Sequence, residues 1–474
     1  MSNAIVIAAI MFLPGALATG PDVPGTLAEV IGVAGDTPGP GACAALATGP
    51  VRCPVWVSDE PPATDHNFVT AVSSDGSRAL AGRASWSMAT GHVTFLRLFD
   101  TSSGALVWAQ TFALGETWPA AATFSPDGSS LYVAARAAWN VVENHTVWTQ
   151  SARVLRAYDV ASGALRWSVV DVRDCGVWVS GALPLAMAGT ADGRHLVLAG
   201  GDGSSYESCR FAVVSYDAAS GAEEWRYAGD PGTATALAQE PRGLQVYASG
   251  IAGAFEIGPS YDFSTVALSV ADGSVRWSDR FDAGGTDVAR GMAVAPDDQG
   301  LFVTGTTSSP VGDLGASVFY DAQAGSRRWS ALWADALASA AFGAGGERAF
   351  AGGDGSIVLY DASTGLPVSA LSLVAGGGGS GGLLPAPDGR VLANGQSSGA
   401  SGLTALDGLT GAVLWSSKDH RFFSVQSFAV SARGGAVVAS GFDRIPSVGA
   451  SLPMGASVQL VRGSRQVETA AYLD

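Results

Sequence analysis

Tyr158-Asp159-Val160-Ala161-Ser162-Gly163-Ala164-Leu165-Arg166-Trp167 is a phrase that the chain writes repeatedly, with Asp four residues before Gly and Trp four residues after it. The same frame stands at Asp100/Gly104/Trp108, Asp217/Gly221/Trp225, Asp321/Gly325/Trp329 and Asp407/Gly411/Trp415. Two copies keep the Gly only in part of the frame: Ser269/Gly273/Trp277 lacks the Asp, and Asp361/Gly365/Ser369 lacks the Trp. From Gly104 through Gly163, Gly221, Gly273, Gly325 and Gly365 to Gly411 the steps are 59, 58, 52, 52, 40 and 46 residues. Such a period belongs to a repeated sheet unit.

A second phrase interleaves with the first. Its clearest copy is Phe124-Ser125-Pro126-Asp127-Gly128-Ser129-Ser130-Leu131-Tyr132-Val133-Ala134, with others around Asp75-Gly76, Asp192-Gly193, Asp297-Asp298 and Asp388-Gly389. Looser copies run through Arg242-Gly243, Gly345-Gly346 and Arg433-Gly434, making eight. Both phrases predict hairpins, because a tight antiparallel turn needs residues that accept positive φ, as Asp-Gly and Ser-Gly do. Short runs of Val, Leu, Ala, Tyr and Phe flank each turn at strand length. Each unit therefore reads as four strands: a and b joined by the Asp-Gly turn, c and d by the Asp-x-x-Ser-Gly turn, with the Trp on d packing between neighbouring sheets.

The expected fold is all-β, a single β-propeller of four-stranded blades, with eight blades favoured and seven the rival count. Trp56 precedes Asp75 by 19 residues, as Trp108 precedes Asp127, so residues 54–58 read as a strand d without its own a, b and c. The last unit, around Val458–Val461, lacks a Gly/Trp hairpin, and the N-terminal strand is expected to complete it and close the ring. The domain division is then a signal peptide at 1–18, a Gly/Pro-rich arm at 19–53, the propeller at 54–468 and a tail at 469–474.

The composition fits a chain of many tight turns: 63 Gly, 47% hydrophobic and only 14% charged residues in 474. With 26 basic and 42 acidic residues the net charge is −16, a surface that repels nucleic-acid phosphates and anionic lipid. Residues 4–18 are apolar and end in Ala16-Leu17-Ala18, a small-x-small cleavage pattern, although no Lys or Arg precedes them. The expectation is a secreted or periplasmic monomer with no membrane span. Cys43 has Pro40 three positions before it, which does not suit lipid attachment. The four cysteines, Cys43, Cys53, Cys175 and Cys209, are an even number, as two disulfides in an exported chain would require. Cys43–Cys53 would close the arm.

The phrases at 216–225 (Tyr-Asp-Ala-Ala-Ser-Gly-x-x-x-Trp) and 295–305 (Ala-Pro-Asp-Asp-Gln-Gly-Leu-Phe-Val-Thr-Gly) resemble the PQQ-like, or quinoprotein-like, β-propeller repeat family. Asp262–Ala267 together with Gly284-Gly285-Thr286-Asp287 resembles its exported bacterial members. The resemblance covers about residues 54–468. It implies the fold; activity it leaves open, since the family mixes quinone enzymes with cofactor-free scaffolds.

Strand direction puts the a–b and c–d turns on one face and the b–c and d–a links on the other. The second face carries the irregular insertions, at 136–151, 169–186 and 201–210, and binding residues favour such variable loops on a rigid frame. Cys175 and Cys209 leave adjacent loops there, where a disulfide would staple them. The candidate binding residues are Trp148, Arg173, Asp174, Trp178, Tyr206 and Arg210. His66, His92, His145, His195 and His420 are scattered, and no metal ligand set is recognisable. Gly378-Gly379-Ser380-Gly381-Gly382 matches a nucleophile-elbow pattern but lies in a glycine tract without a strand before it or a helix after it. No catalytic residue is assigned. The first functional reading is an exported, non-enzymatic propeller that binds a protein, glycan or small ligand through the loop face. The second is a PQQ- and calcium-dependent alcohol or sugar dehydrogenase. Its enzymes join adjacent cysteines beside the quinone and hold calcium with acid and amide ligands, neither of which the motifs here supply. The third is an envelope assembly scaffold.

Overall fold

A computed structural model describes residues 51–52, 56–60, 68–87, 91–143, 146–175, 185–203, 208–253, 261–310, 312–353, 356–372, 382–397, 400–417, 424–431, 437–443 and 455–461. Among them every regular element is a strand, and no helix is long and apolar enough to cross a membrane. The strands fall into eight antiparallel groups of four, written here as blades with strands a to d. Blade 1 is Phe68–Val72, Arg78–Ser87, Gly91–Asp100 and Leu106–Phe112; blade 2 is Glu116–Phe124, Ser130–Glu143, Thr146–Asp159 and Leu165–Asp171. Blade 3 begins Ala186–Gly189, His195–Asp202 and Arg210–Asp217, and blade 4 ends Gln245–Ala252, Asp262–Ser269 and Val275–Phe281. Between them one strand, Glu223–Gln239, is d of blade 3 as far as Pro231 and a of blade 4 from Gly232. Blade 5 is Asp287–Val294, Gly300–Ser309, Gly312–Asp321 and Arg327–Trp333; blade 6 is Leu337–Phe342, Arg348–Gly353, Ser356–Asp361 and Pro367–Ser372. Blade 7 is Leu383–Pro385, Arg390–Ser397, Ala400–Asp407 and Val413–Ser417. Blade 8 takes Ser424–Val430, Val437–Asp443 and Gly455–Val461, and its fourth strand is Trp56–Glu60, paired antiparallel from Trp56↔Leu460 to Glu60↔Ala456.

Burial follows strand position. Strands b and c lie between neighbouring blades and are covered on both faces, as in Arg210–Asp217, where six consecutive residues are buried. Strand d is outermost and alternates, as in Val275–Phe281, where Trp277 and Phe281 are buried and their neighbours are not. The core is therefore a series of inter-blade layers, the last of which joins Val438 of blade 8 to Ala79, Ala81 and Phe99 of blade 1.

The opening phrase explains how one layer docks on the next. The indole Nε1 of Trp108 donates to Val160 O in the following blade, and Trp167, Trp225, Trp277 and Trp329 donate to Ala218, Val270, Ala322 and Ala362. Each acceptor sits one residue after the phrase's Asp position, in the turn of the next copy. The same indoles lie over the next turn's glycine: a Cβ on Gly325 would stand 2.5 Å from Trp277 Cδ2. Three of them also pack on the next blade's Tyr: Trp108 on Tyr158, Trp329 on Tyr360, and Trp277 on Tyr320, stacked at 5.7 Å. One phrase thus supplies both the wedge and the socket for the preceding blade's wedge. The Asp closes the turn, since Asp159 Oδ1 accepts from Ser162 N and Ser162 Oγ. Hydrogen bonds from Ser102 and Ser103 hold the Asp100 carboxyl down at about 2. Ser369 replaces the indole in blade 6. Trp415 of blade 7 has a buried Nε1 with no acceptor among the described residues, because blade 8 takes its strand d from the N-terminus and has no c–d turn to offer one. At the a–b turn of blade 5, Asp298 takes the place of the usual Gly at φ 62, the one non-Gly positive φ among the described residues.

Two expectations need correction. Residues 136–151 are not an irregular insertion: strands b and c of blade 2 run 14 residues each and stay paired out to Glu143↔Thr146. Trp139 belongs to that ladder and packs on the core of blades 1 and 2. The arm is also not wholly outside the sheets, since Val51–Arg52 pairs parallel to Ser416–Ser417 on the outer edge of blade 7. Residues 1–18, Cys43, Cys53 and the tail lie outside the described residues.

Candidate functional site

On the face of the b–c and d–a links, blades 2 and 3 meet beneath a disulfide. Cys175 follows strand d of blade 2 and Cys209 precedes strand c of blade 3; they are 34 residues apart, bonded, with Cα atoms at 5.5 Å. Both are buried and pack on Ile251 and Val288. Gly201 leaves the room they need, since a Cβ there would stand 2.4 Å from Cys175 Sγ.

Beside the disulfide lies a charge network that crosses the blade junction. Asp171, buried at the end of strand d in blade 2, accepts from Arg153 Nη2 at 2.9 Å, Arg173 Nε at 2.9 Å and Arg226 Nη2 at 2.7 Å. Arg226 also reaches Asp202 at 3.0 Å and Glu223 at 2.8 Å, and Arg173 bonds Glu223 at 2.5 Å. Arg136 and Asp174 form a second pair at 2.5 Å, with side chains 3% and 0% exposed. Burial would raise the Asp171 carboxyl, but Arg153, Arg173 and Arg226 outweigh it and hold it below the usual carboxylate range. The Tyr216 phenol, 3.4 Å from Asp171 Oδ2, is pushed up to about 12 by burial. The four acids and four arginines neutralise one another, the condition under which buried charge is tolerated.

The sequence-derived candidates divide accordingly. Arg173 is half exposed and held by Asp171 and Glu223. Asp174 is enclosed and supports the floor of this face. Arg210 is exposed at the mouth of the blade 3 loop, where its Nε donates to Gly229 O at 2.8 Å. Trp178 and Tyr206, and the side chain of Trp148, lie outside what is described. Sequence reasoning missed Arg136, Arg153, Asp202 and Arg226. Their signal is a charge inside an otherwise apolar strand, as in Ala-Ala-Arg-Ala-Ala at 134–138. His195 is held within blade 3, its Nδ1 2.6 Å from Glu224 Oε2.

An open groove of 340 Å3 lies on the opposite face, between the Ser125–Ser130 turn and Asp192-Gly193. Its walls are the repeated turns themselves, and Arg166 in it is held by Asp159 at 2.7 Å. It carries nothing that the other turns lack.

Three solved structures are similar. The Dos1 propeller matches at 13% identity and TM-score 0.55, over 86% of this chain and 95% of that one. Chaetomium thermophilum Sqt1 bound to the N-terminus of the ribosomal protein L10 matches at 16% and 0.56, over 84% and 98%. BamB from Moraxella catarrhalis matches at 13% and 0.51, over 86% and 100%. A comparison with curated proteins finds no match. Residues 315–449 match the family model PQQ_2, described as outer membrane protein assembly factor BamB. With four-stranded antiparallel sheets in every blade described, the chain has a β-propeller fold, and its residues 315–449, in blades 5 to 8, are similar to the PQQ-like repeat family.

Proposed function

We propose that the protein is an exported, non-enzymatic propeller that binds a partner protein through the loop face of blades 2 and 3. The observation that carries this reading is the junction at Cys175–Cys209. There a disulfide and a buried network around Asp171 fix the base of loops that do not repeat elsewhere in the chain. A rigid floor lowers the ordering cost of binding, and aromatic and Arg side chains are the usual anchors. Arg173 and Arg210 stand exposed at this face, and in the sequence Trp178 follows Cys175 by three residues and Tyr206 precedes Cys209 by three.

Quinone chemistry is the alternative that the repeat family raises. A disulfide between adjacent cysteines beside the ring is expected there, whereas Cys175 and Cys209 are 34 residues apart and bridge two loops. This donor set does not fit the group. An envelope assembly scaffold is the finer version of the binding reading, favoured by the match of residues 315–449 to the BamB description.

A photo-crosslinking residue in place of Trp178, in cells that export the chain, should capture a discrete protein. The same residue in place of Asp272, in a tight turn of the other face, should not. Identical adducts from both positions, or none from either, would count against the loop face. Dye-linked alcohol or sugar oxidation by the purified chain with added PQQ and calcium would overturn the non-enzymatic reading. An outer-membrane assembly component in the adduct would specify the scaffold.

A further inference from the structure

The link from blade 4 to blade 5 gathers three carboxylates. Asp262 opens strand c of blade 4, Asp282 follows its strand d, and Asp287 opens strand a of blade 5. One oxygen from each lies within 4.8 Å of the other two. Two oxygens on opposite sides of a calcium ion, each at about 2.3–2.6 Å, stand about 5 Å apart, so the spacing suits a single ion.

Clustered acids alone would not make a site; Asp287 adds a separate observation. It is fully buried, its Oδ2 accepts from Ala283 N at 2.6 Å, and its Oδ1 has no hydrogen-bond partner. Directly across the strand pair stands Thr307, 2% exposed, whose hydroxyl likewise makes no well-aligned hydrogen bond. Asp287 Oδ1 and Thr307 Oγ1, both buried, are thus left without a well-formed hydrogen bond, which is costly for buried polar groups. The fold does not demand a carboxylate there. In blade 2 the same place, two residues before the bulge in strand a, is held by Thr117, whose hydroxyl donates to Phe112 O at 3.1 Å and accepts from Thr94 N at 3.1 Å. At the junction of blades 2 and 3 each buried acid meets an arginine; here Arg280, half exposed, reaches Asp262 at 2.5 Å.

We propose that Asp262, Asp282 and Asp287 form a binding site for a hard divalent cation of the calcium type, tying the blade 4–5 link to strand a of blade 5. Carboxylates with supplementary neutral oxygens are the donor set that such ions select. The Thr307 hydroxyl is one such neutral oxygen.

The test uses the full exported chain after EDTA treatment and desalting. Calorimetric titration with calcium chloride should show one ion per chain, with a midpoint in the micromolar to millimolar range of flexible oxygen sites. The thermal midpoint should rise as calcium is added. Asp282→Asn changes an exposed side chain, so its calcium-free melt should match the parent while binding falls at least tenfold; Asp287→Asn should lose it further. Three results would each overturn the proposal. They are no heat and no thermal shift at about 10 mM calcium, well above the range of extracellular modules, full binding retained in Asp282→Asn, and an equal response to magnesium.

Discussion

At Gly325 two demands fall on one residue. Its φ of 72° is costly for any side chain, and the ring of Trp277 occupies the space that a Cβ would need. Trp277 in turn is 9% exposed, donates to Ala322 O at 2.8 Å and lies between Tyr247 and Tyr320. Trp277→Ala should therefore cost about 3–5 kcal/mol, the range for removing a large buried ring. Gly325→Ala should cost about 1–3 kcal/mol from strain and clash. Because the clash is with the indole, the double variant should cost less than the sum, by at least about 0.5 kcal/mol in urea melts. Strict additivity would mean that the glycine serves backbone conformation alone. The sequence made the turn legible through Asp-x-x-Ser-Gly, and the wedge through Trp. That the glycine is also the seat of the preceding blade's indole was hidden, because the contact joins residues 48 apart in the chain, Trp277 and Gly325.

At the scale of elements, the strands that face two neighbours are apolar, and the exceptions mark where blades 2 and 3 are bolted together. Arg153 is 2% exposed in the middle of a strand, and its counter-charge Asp171 lies across the ladder. Asp171→Ala would leave Arg153 and Arg226 without their shared carboxylate and should cost about 3–5 kcal/mol, as other broken buried pairs do. Limited proteolysis should then cut first near Cys175, where the network supports the link. An unchanged melt would show that Asp202 takes over. The faces of the blades follow from strand direction alone, so the disulfide between Cys175 and Cys209 was foreseeable. The long b–c hairpin of blade 2 was not. Its Trp139-Asn140-Val141-Val142-Glu143 stretch lacks the Gly and Pro that break ladders, yet stood out as an insertion because no other b–c pair among the described residues is as long. The carboxylate trio escaped for a different reason: Asp262, Asp282 and Asp287 come from two blades and match no loop pattern.

Across the molecule, one pairing joins the two ends of the repeat array. Trp56–Glu60 completes the sheet of Gly455–Val461, 395 residues from Glu60 to Gly455. Moving Trp56–Glu60 to follow residue 461 through a short turn would convert that pairing into a local hairpin. Such a permutant should refold faster, since long-range closure slows folding, while its equilibrium stability stays within about 1 kcal/mol of the parent. Slower refolding of the permutant would show that the N-terminal strand docks early. In a chain made from its N-terminus, the strand at residue 56 waits until the last blade has been synthesised. The outermost position of blade 8 is therefore a completeness check: no fragment that stops short of residue 455 can bury that strand against its own partner.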